Sequence, residues 1–330
     1  MGGAQRGRRA WGVAGMQFGV SSLVGIEPLP FPEFLRQAQG VGLETVEINV
    51  GPTFRKIDGA SYPGHLDLAA VERDGPGATL ELVASHGMTI SALAPMLNLL
   101  SPDLSLREER IAAFRTALDT CATLGVGTIV TYGGSAFGMN FWGLPGTGRQ
   151  HPSNKLAENI QEFVKVYTPL AAYAEERGVR IAFETAPRGG GEGNLAHSLA
   201  LWDMIFEAVP SPALGLSFDP SHLVWLHIPN IPDIVRKYGS RIYHMDGKDT
   251  EILPGKLAEQ GILGNSWWRY RLPGVGALDW IGILSALHDA GYDGAVDIEN
   301  EDPLALGLAA AGWSANYLRN LLPQLKTSLG

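Results

Sequence analysis

The chain has 330 residues, 45% hydrophobic and 18% charged, a composition typical of a globular protein with a large buried core. Its 34 Asp and Glu outnumber its 25 Lys and Arg, and the formal net charge is −9. An acidic protein does not attract phosphate backbones, so nucleic acid is not expected as a partner. No apolar run is long enough to span a bilayer, so no membrane is expected either, and the single cysteine, Cys121, excludes an internal disulfide. We therefore expect a cytoplasmic protein.

The N-terminal residues 1–10 are basic and rich in glycine, and they predict a disordered tail ahead of a single domain over residues 11–330. The pair Arg8-Arg9 also occurs in twin-arginine export signals. The segment that follows lacks a clear cleavage site, however, and it fits a first β-strand.

Short apolar runs alternate with helical patterns along the rest of the chain. Eight such strands separated by helices predict parallel βα units that close into a (β/α)8 TIM barrel. The alternative is an open doubly wound sheet, but the Gly-rich dinucleotide loop expected after its first strand is missing. The predicted strands are Ala14–Val20, Thr45–Val50, Thr89–Ala94, Thr128–Tyr132, Arg180–Thr185, Leu214–Asp219, Arg241–Asp246 and Ala295–Asn300.

Two helical segments show the apolar period most clearly. Apolar residues recur three and four positions apart over Leu106–Leu124 and again over Leu156–Arg177, so each helix presents one apolar stripe to a sheet. Gly125 and Gly178 follow these segments and predict their ends. Pro169 predicts a kink or a restart inside the second helix.

Two long connections follow predicted strands four and seven, over residues 133–152 and 250–273. The first carries His151, and the second carries Trp268 and Arg271 among other aromatic and basic residues. Both connections lie at the end of the barrel where such enzymes build their sites. They predict either a lid over a polar ligand or a contact with another subunit, a second copy of the chain or a small partner.

Acidic side chains close the last four predicted strands. These are Glu184, Asp219, Asp246 and Glu299, and His244 lies one pleat before Asp246 on the same side of its strand. Carboxylates that converge at a barrel mouth repel one another, and a divalent cation removes that repulsion. Oxygen-rich ligation favours Mn²⁺ or Mg²⁺ over zinc.

Predicted strands five to eight resemble the sugar phosphate isomerase/epimerase family, the xylose isomerase-like barrels that include ketose 3-epimerases, inosose dehydratases and endonuclease IV. The resemblance covers nearly the whole chain. It is also similar to members that act on 3-keto sugars or their glycosides. The motifs that carry the resemblance are Phe183-Glu184, Phe218-Asp219-Pro220-Ser221-His222, Lys248-Asp249-Thr250-Glu251-Ile252, Pro273-Gly274 and Ile298-Glu299.

The resemblance implies one divalent metal held by Glu184, Asp219, a strand-seven residue and Glu299. Mn²⁺ is the expected ion, with Mg²⁺, Co²⁺ or Zn²⁺ as alternatives. Strand seven of the family usually reads His-x-His-x-Lys-Asp, and the second His is the ligand. This chain departs from the pattern, because Asp246 occupies that position. Either Asp246 is the ligand, which its position favours, or His244 replaces it.

Further residues are expected to face a sugar or keto-sugar substrate. The resemblance implies this role for His222, three residues after Asp219, which is also a candidate catalytic residue. Strand ends and the two long connections supply the other candidates. The residues are His222, Lys248, Glu47, Asn98, His151, Trp268 and Arg271.

The expected chemistry is proton abstraction next to a carbonyl through an enediolate, with Glu184 and Glu299 as the acid–base pair. Return of the proton gives an isomerase or epimerase. Loss of a β-substituent gives a dehydratase, or a lyase that cleaves a 3-keto glycoside. Because Asp246 replaces the second histidine of the strand-seven pattern, a non-catalytic sugar-binding subunit is a further alternative. An endonuclease IV-like phosphodiesterase would need several zinc ions and many more histidines than the eight present.

Overall fold

The computed structural model describes residues 15–22, 29–50, 54–55, 61–62, 64–138, 143–144, 149–151, 153–189, 192–264 and 266–328. The predicted N-terminal tail and Arg8-Arg9 lie outside these ranges. Within them, no helix combines the length and the apolar character that crossing a bilayer requires.

Eight parallel strands form a closed barrel, in which each strand pairs with the next along the chain and the last pairs with the first. All eight predicted strands are confirmed, and the closure of the sheet shows that the open-sheet alternative is wrong. The strands are β1 Gln17–Ser21, β2 Thr45–Asn49, β3 Thr89–Ala94, β4 Thr128–Thr131, β5 Arg180–Glu184, β6 Leu214–Phe218, β7 Ile242–Asp246 and β8 Ala295–Ile298.

Helices surround the barrel. Pro169 lies inside α5, which continues through it, so the predicted restart does not occur. Phe163 and Tyr167 in the preceding turns of α5 pack against Phe183 of β5, and this packing holds the helix in place despite the lost N–H donor. The helices are α1 Phe31–Gly40, α2 Leu68–Asp74, α3 Gly77–Ser85, α4 Leu104–Leu124, α5 Leu156–Glu176, α6 Leu199–Ala208, α7 Pro220–Trp225, α8 Ile231–Tyr238, α9 Pro254–Gln260, α10 Trp280–Asp289 and α11 Leu308–Ser328, with a 3₁₀ turn at Gly239–Arg241.

Short antiparallel hairpins extend the connections after β2, β4, β5 and β7. The longest of them follows β7 and pairs Asp249–Ile252 with Trp268–Arg271, inside the second of the two long predicted connections. The others pair Phe54–Arg55 with Ser61–Tyr62, Gly143–Leu144 with Arg149–Gln150, and Arg188–Gly189 with Glu192–Gly193.

The main apolar core lies between the barrel and the helices, and Cys121 is buried in it. A separate small cluster contains Ala92, Ala94, Val130 and Ala182 from β3, β4 and β5. Alternate residues of a strand face opposite sides, so these positions face the barrel interior while their neighbours face the helices. Because these side chains are short, they leave the centre of the barrel to polar groups.

Candidate metal centre at the barrel mouth

Glu184, Asp219 and His222 form a buried cluster at the carboxyl ends of β5 and β6. One potential ligand atom from each residue lies within 4.8 Å of the other two. His222 is in the first turn of α7, three residues after Asp219, so the helix brings both side chains to one face. The imidazole Nε2 of His222 lies 3.0 Å from Oδ2 of Asp219 and 3.7 Å from Oε1 of Glu184.

Asp219 uses its two carboxylate oxygens differently. Oδ1 accepts a hydrogen bond of 2.8 Å from the backbone N–H of Ser221 and so caps α7. Oδ2 is buried, and no donor among the described residues reaches it with the angles of a hydrogen bond. Burial raises the pKa of Asp219, but the neighbouring His222 and Lys248 outweigh it and hold the pKa well below its usual range. Asp219 is therefore a buried carboxylate with one oxygen directed at the cluster.

Strand β7 supplies Asp246 and His244, and the two side chains have different contacts. The hydroxyl of Ser217 lies 3.0 Å from Oδ2 of Asp246 and 2.9 Å from Nδ1 of His244. Nε2 of His244 lies 2.9 Å from Oδ2 of Asp297. Both ring nitrogens of His244 are thus engaged inside the barrel, and Nδ1 also lies 3.9 Å from Oδ1 of Asp246.

Asp297 is the centre of a buried polar layer one pleat below the mouth. It accepts hydrogen bonds of 2.5 Å from both Thr45 and Ser91 besides its contact with His244. The register between β2 and β3 shifts at Ser91, and such a bulge re-aims a side chain. Gly19 leaves the space for this layer, since a Cβ there would overlap Thr45 and Asp297. We call Thr45, Glu47, Ser91, Ser217, His244 and Asp297 the inner layer.

The inner layer holds its histidine in the charged form. Burial lowers the pKa of His244, but Glu47, Asp297 and Asp246 outweigh it and raise the pKa to about 10. A protonated imidazole donates from both nitrogens, to Ser217 and to Asp297, and has no lone pair for a metal.

Lys248 enters the mouth from the residues after β7. Its side chain is 2% exposed, and Nζ lies 2.6 Å from Oε2 of Glu299, 2.9 Å from Oδ2 of Asp219 and 3.0 Å from Oε2 of Glu301. The ring of Tyr270 lies beneath it, with the centroid 4.3 Å from Nζ. One buried ammonium therefore contacts three carboxylates.

Burial, together with repulsion between neighbouring acids, raises the pKa of three carboxyl groups at the mouth despite this lysine. Burial raises the pKa of Glu184 well above its usual range, and Asp246, Asp219 and Glu299 raise it further. Burial likewise raises the pKa of Glu299, with a smaller contribution from Glu301. Burial, Glu47 and Asp219 raise the pKa of Asp246 to about 7, against the opposing effect of His244 and Lys248. We call Glu184, Asp219, Asp246 and Glu299 the mouth acids; their crowding and the oxygen of Asp219 that is directed at them fit a divalent cation.

The sequence of the chain matches one protein family over most of its length. Residues 35–321 match the family described as the xylose isomerase-like TIM barrel. The chain belongs to the xylose isomerase-like TIM barrel family.

Individual relatives agree with this membership. The chain is 29% identical over 319 residues to the uncharacterized protein YfiH of Bacillus subtilis strain 168, covering 90% of this chain and 96% of YfiH. It is 29% identical over 223 residues to an inosose isomerase of Bacillus velezensis, covering 66% of this chain and 69% of that enzyme. The fold superimposes on the IolI protein crystallised with a zinc atom, with a TM-score of 0.66, 21% identity and coverage of 94% and 99% of the two chains. Ketose 3-epimerases share the fold as well.

The mouth is bordered by a connection that carries aromatic side chains. Tyr270 and Trp268 lie on the hairpin after β7, and the Tyr270 hydroxyl lies 3.1 Å from Nδ1 of His222. Trp268 stacks on Trp225 of α7 with the ring planes 2° apart and the centroids separated by 4.6 Å. An aromatic wall therefore runs outward from His222. Residues 139–142 and 145–148 of the first long connection lie outside the described residues.

The remaining predicted substrate contacts have other partners in the structure. Glu47 is buried in the inner layer beside His244. The side chain of Asn98 is buried and bonds the backbone of Leu100 and Ser135, so it holds the connection after β4. His151 is exposed and contacts Ser153. A direct contact of these residues with a polyol stays a prediction.

Arg271 is held by one acidic residue of its own connection and one from the segment after β8. Its guanidinium contacts Glu251 at 2.7 Å and Asp302 at 2.8 Å, and the side chain is 15% exposed. These ion pairs fasten the hairpin after β7 to the segment after β8. A contact of Arg271 with substrate stays a prediction.

Two residues at the site were missed by the sequence reasoning. Glu301 contacts Lys248, and its signal was its position two residues after Glu299, on the same side of an extended segment. Ser217 joins Asp246 to His244, and it lies two residues before Asp219 in the same way. The sequence signal for Ser217 was a small polar residue on the interior side of an otherwise apolar, buried strand.

Proposed function

We propose that this chain is a divalent-metal-dependent isomerase or epimerase of sugars or sugar-like cyclic polyols, which moves a proton at the carbon next to a carbonyl. The observation that carries the proposal is the convergence of the four mouth acids with His222 and Lys248 at the carboxyl end of the barrel. The inosose isomerase of Bacillus velezensis and the ketose 3-epimerases of the same fold support this class of substrate.

The residues that would hold the metal are Glu184, Asp219, Asp246 and Glu299. A bound divalent ion supplies Lewis-acid stabilisation of the negative charge that develops on a substrate oxygen when the neighbouring carbon loses its proton. Four carboxylates are hard oxygen donors and favour Mn²⁺ or Mg²⁺, whereas the imidazole of His222 would bring the site closer to zinc. Protein purified without chelator should contain about one equivalent of divalent metal by elemental analysis.

Two carboxylates from well-separated strands would handle the proton. Glu184 ends β5 and Glu299 follows β8, so they approach the mouth from two sides. One takes the proton from carbon, and the other returns it to the same or the neighbouring carbon, as general acid–base catalysis requires. His222 is held in orientation by Tyr270 and Asp219, and it can donate to a substrate oxygen only by giving up its contact with Asp219.

Deuterium exchange tests the reaction directly. The metal-loaded protein is incubated in D₂O with a panel of ketoses and inososes, and products are analysed by mass spectrometry and NMR. We expect an isomer of the substrate with deuterium on the carbon next to the carbonyl, or an isomer without deuterium if the proton is returned before it exchanges with solvent. Loss of water or of a glycosidic substituent would instead identify an elimination. Neither exchange nor product across the panel would contradict the proposal and favour a sugar-binding role.

A further inference from the structure

Lys248 and a divalent metal would need the same carboxylate oxygen. Oδ1 of Asp219 is occupied by the backbone N–H of Ser221, which leaves Oδ2 as the oxygen that faces the cluster. Nζ of Lys248 lies 2.9 Å from that same Oδ2. The lysine also contacts Glu299 at 2.6 Å, a second residue of the proposed ligand set.

A third contact gives the lysine a place outside the ligand set. Glu301 lies 3.0 Å from Nζ, its side chain is 34% exposed, and it does not belong to the mouth acids. A cation that leaves Asp219 and Glu299 therefore keeps a carboxylate partner close by. The long, flexible stem of lysine permits such a movement without a change in the backbone.

We propose that Lys248 is an exchangeable counter-cation of the metal site, which gives up Asp219 and Glu299 when the divalent ion binds and stays paired with Glu301. The proposal rests on the metal site of the proposed function. It assigns to Lys248 two effects of opposite sign. The ammonium stabilises the metal-free protein, because it neutralises buried acids, and it weakens metal binding, because two cations compete for shared oxygens.

The first test compares metal affinity and stability in Lys248→Met and wild-type protein. Calorimetry with Mg²⁺ or Mn²⁺ should show binding that is tighter by roughly tenfold or more, since the competing charge is removed. Without metal, the same variant should melt several degrees lower, and saturating metal should recover most of the difference. Lys237→Met is the matched control: Lys237 is an exposed lysine paired with Asp203, and its loss should change neither quantity.

Two further measurements keep the test decisive if Lys248→Met does not fold. Lys248→Arg retains the charge, so its metal affinity should not exceed that of wild type. In ¹⁵N-lysine-labelled wild-type protein, the Lys248 ammonium resonance should shift when Mg²⁺ is added, because its carboxylate partners change. Metal binding with an unmoved Lys248 resonance, or with affinity unchanged in Lys248→Met, would overturn this proposal and leave the proposed function intact. Failure of every protein to bind metal would overturn both.

Discussion

The inner layer and the mouth acids lie one pleat apart in the same barrel, yet they treat buried charge in opposite ways. In the inner layer, the carboxylate of Asp297 has three donors, and the charged His244 has an acceptor for each nitrogen. At the mouth, Glu184 and Glu299 are held near other carboxylates, and burial together with this repulsion raises their pKa values. The Asp297–His244 pair of the inner layer is thus fully partnered, although burial raises the pKa of Glu47 beside it, whereas Glu184 and Glu299 at the mouth are not neutralised in this way.

The difference indicates which part of the barrel is scaffold and which part is site. A satisfied buried network rigidifies the strands that carry it. An unsatisfied cluster destabilises the fold unless something binds there, and such clusters mark functional sites. Ser217 connects the two, since it contacts His244 below and Asp246 above. Substitutions in the two layers should therefore have opposite effects on stability and on function.

The largest expected effect is on turnover at the mouth. Glu184→Gln and Glu299→Gln keep the side-chain shape but remove the base, and each should lower turnover by about 10²–10⁴-fold. Neither should destabilise the metal-free protein, because each removes a charge from a crowded cluster. Turnover measured while metal is titrated back separates lost base strength from weakened metal binding. Glu158→Gln, which breaks an exposed pair with Lys155, is the control, and an equal loss there would contradict the assignment.

Substitutions in the inner layer should instead lower the stability of the protein. Asp297→Asn leaves the charged His244 without its buried counter-ion, and breaking such a pair costs about 3–5 kcal/mol of unfolding free energy. Urea denaturation measures the loss. Asp233→Asn removes an exposed partner of Arg236 and should cost below about 1 kcal/mol. A loss for Asp297→Asn no larger than that of the control would mean that the inner layer is not a scaffold.

Metal affinity should distinguish the two residues of β7. Asp246→Ala removes a proposed ligand, and we expect it to weaken metal binding by well over tenfold. His244→Gln removes a charged neighbour of Asp246 and their link through Ser217, and the loss of such an orienting partner weakens binding by about 10–100-fold at most. Calorimetric titration of both variants gives the order. A larger loss for His244→Gln would reassign the ligand to His244.

Much of this architecture was predictable from sequence, since strand runs and helical stripes depend on local periodicity. The eight strands were found because Leu214–Phe218 and its counterparts are short apolar runs between helices. The acids were located because they close predicted strands, and their convergence was expected because parallel strands bring their carboxyl ends together. Pairings across the barrel were not predictable in the same way. The contact of Asp297 with Ser91 joins residues 206 apart, and it depends on a bulge that leaves no local signature.

The role of single motif residues was equally hidden. Asp249 belongs to the Lys-Asp motif, but its carboxylate bonds Trp280 and the backbone of Ala277 and Leu278, and it anchors the connection that leads into α10. Arg271 similarly pairs with Glu251 of its own hairpin and with Asp302 after β8. A charge in a sequence does not reveal its partner, because that partner is set by how distant elements pack.

The smallest expected effect is on the pH dependence of stability. The mouth acids and the inner layer should each change the stability over a different pH range. Asp246 has a pKa of about 7 in the folded chain against 3.8 as its ordinary value, so the native state binds more protons than the unfolded state between these values. Stability of the metal-free protein should therefore fall as pH rises from about 4 to about 7. His244, with a pKa of about 10 against an ordinary 6.5, should extend the fall from about pH 6.5 to 10. Thermal melting across pH should show each decline as a few degrees.

Saturating metal should abolish the decline between about pH 4 and 7, because it keeps the mouth acids ionised, and it should leave the decline at higher pH unchanged. Asp246→Asn should reduce the lower decline and His244→Gln the upper one. A metal-free protein whose melting temperature rises between pH 5 and 7 would contradict the repulsion on which the contrast between the two layers depends.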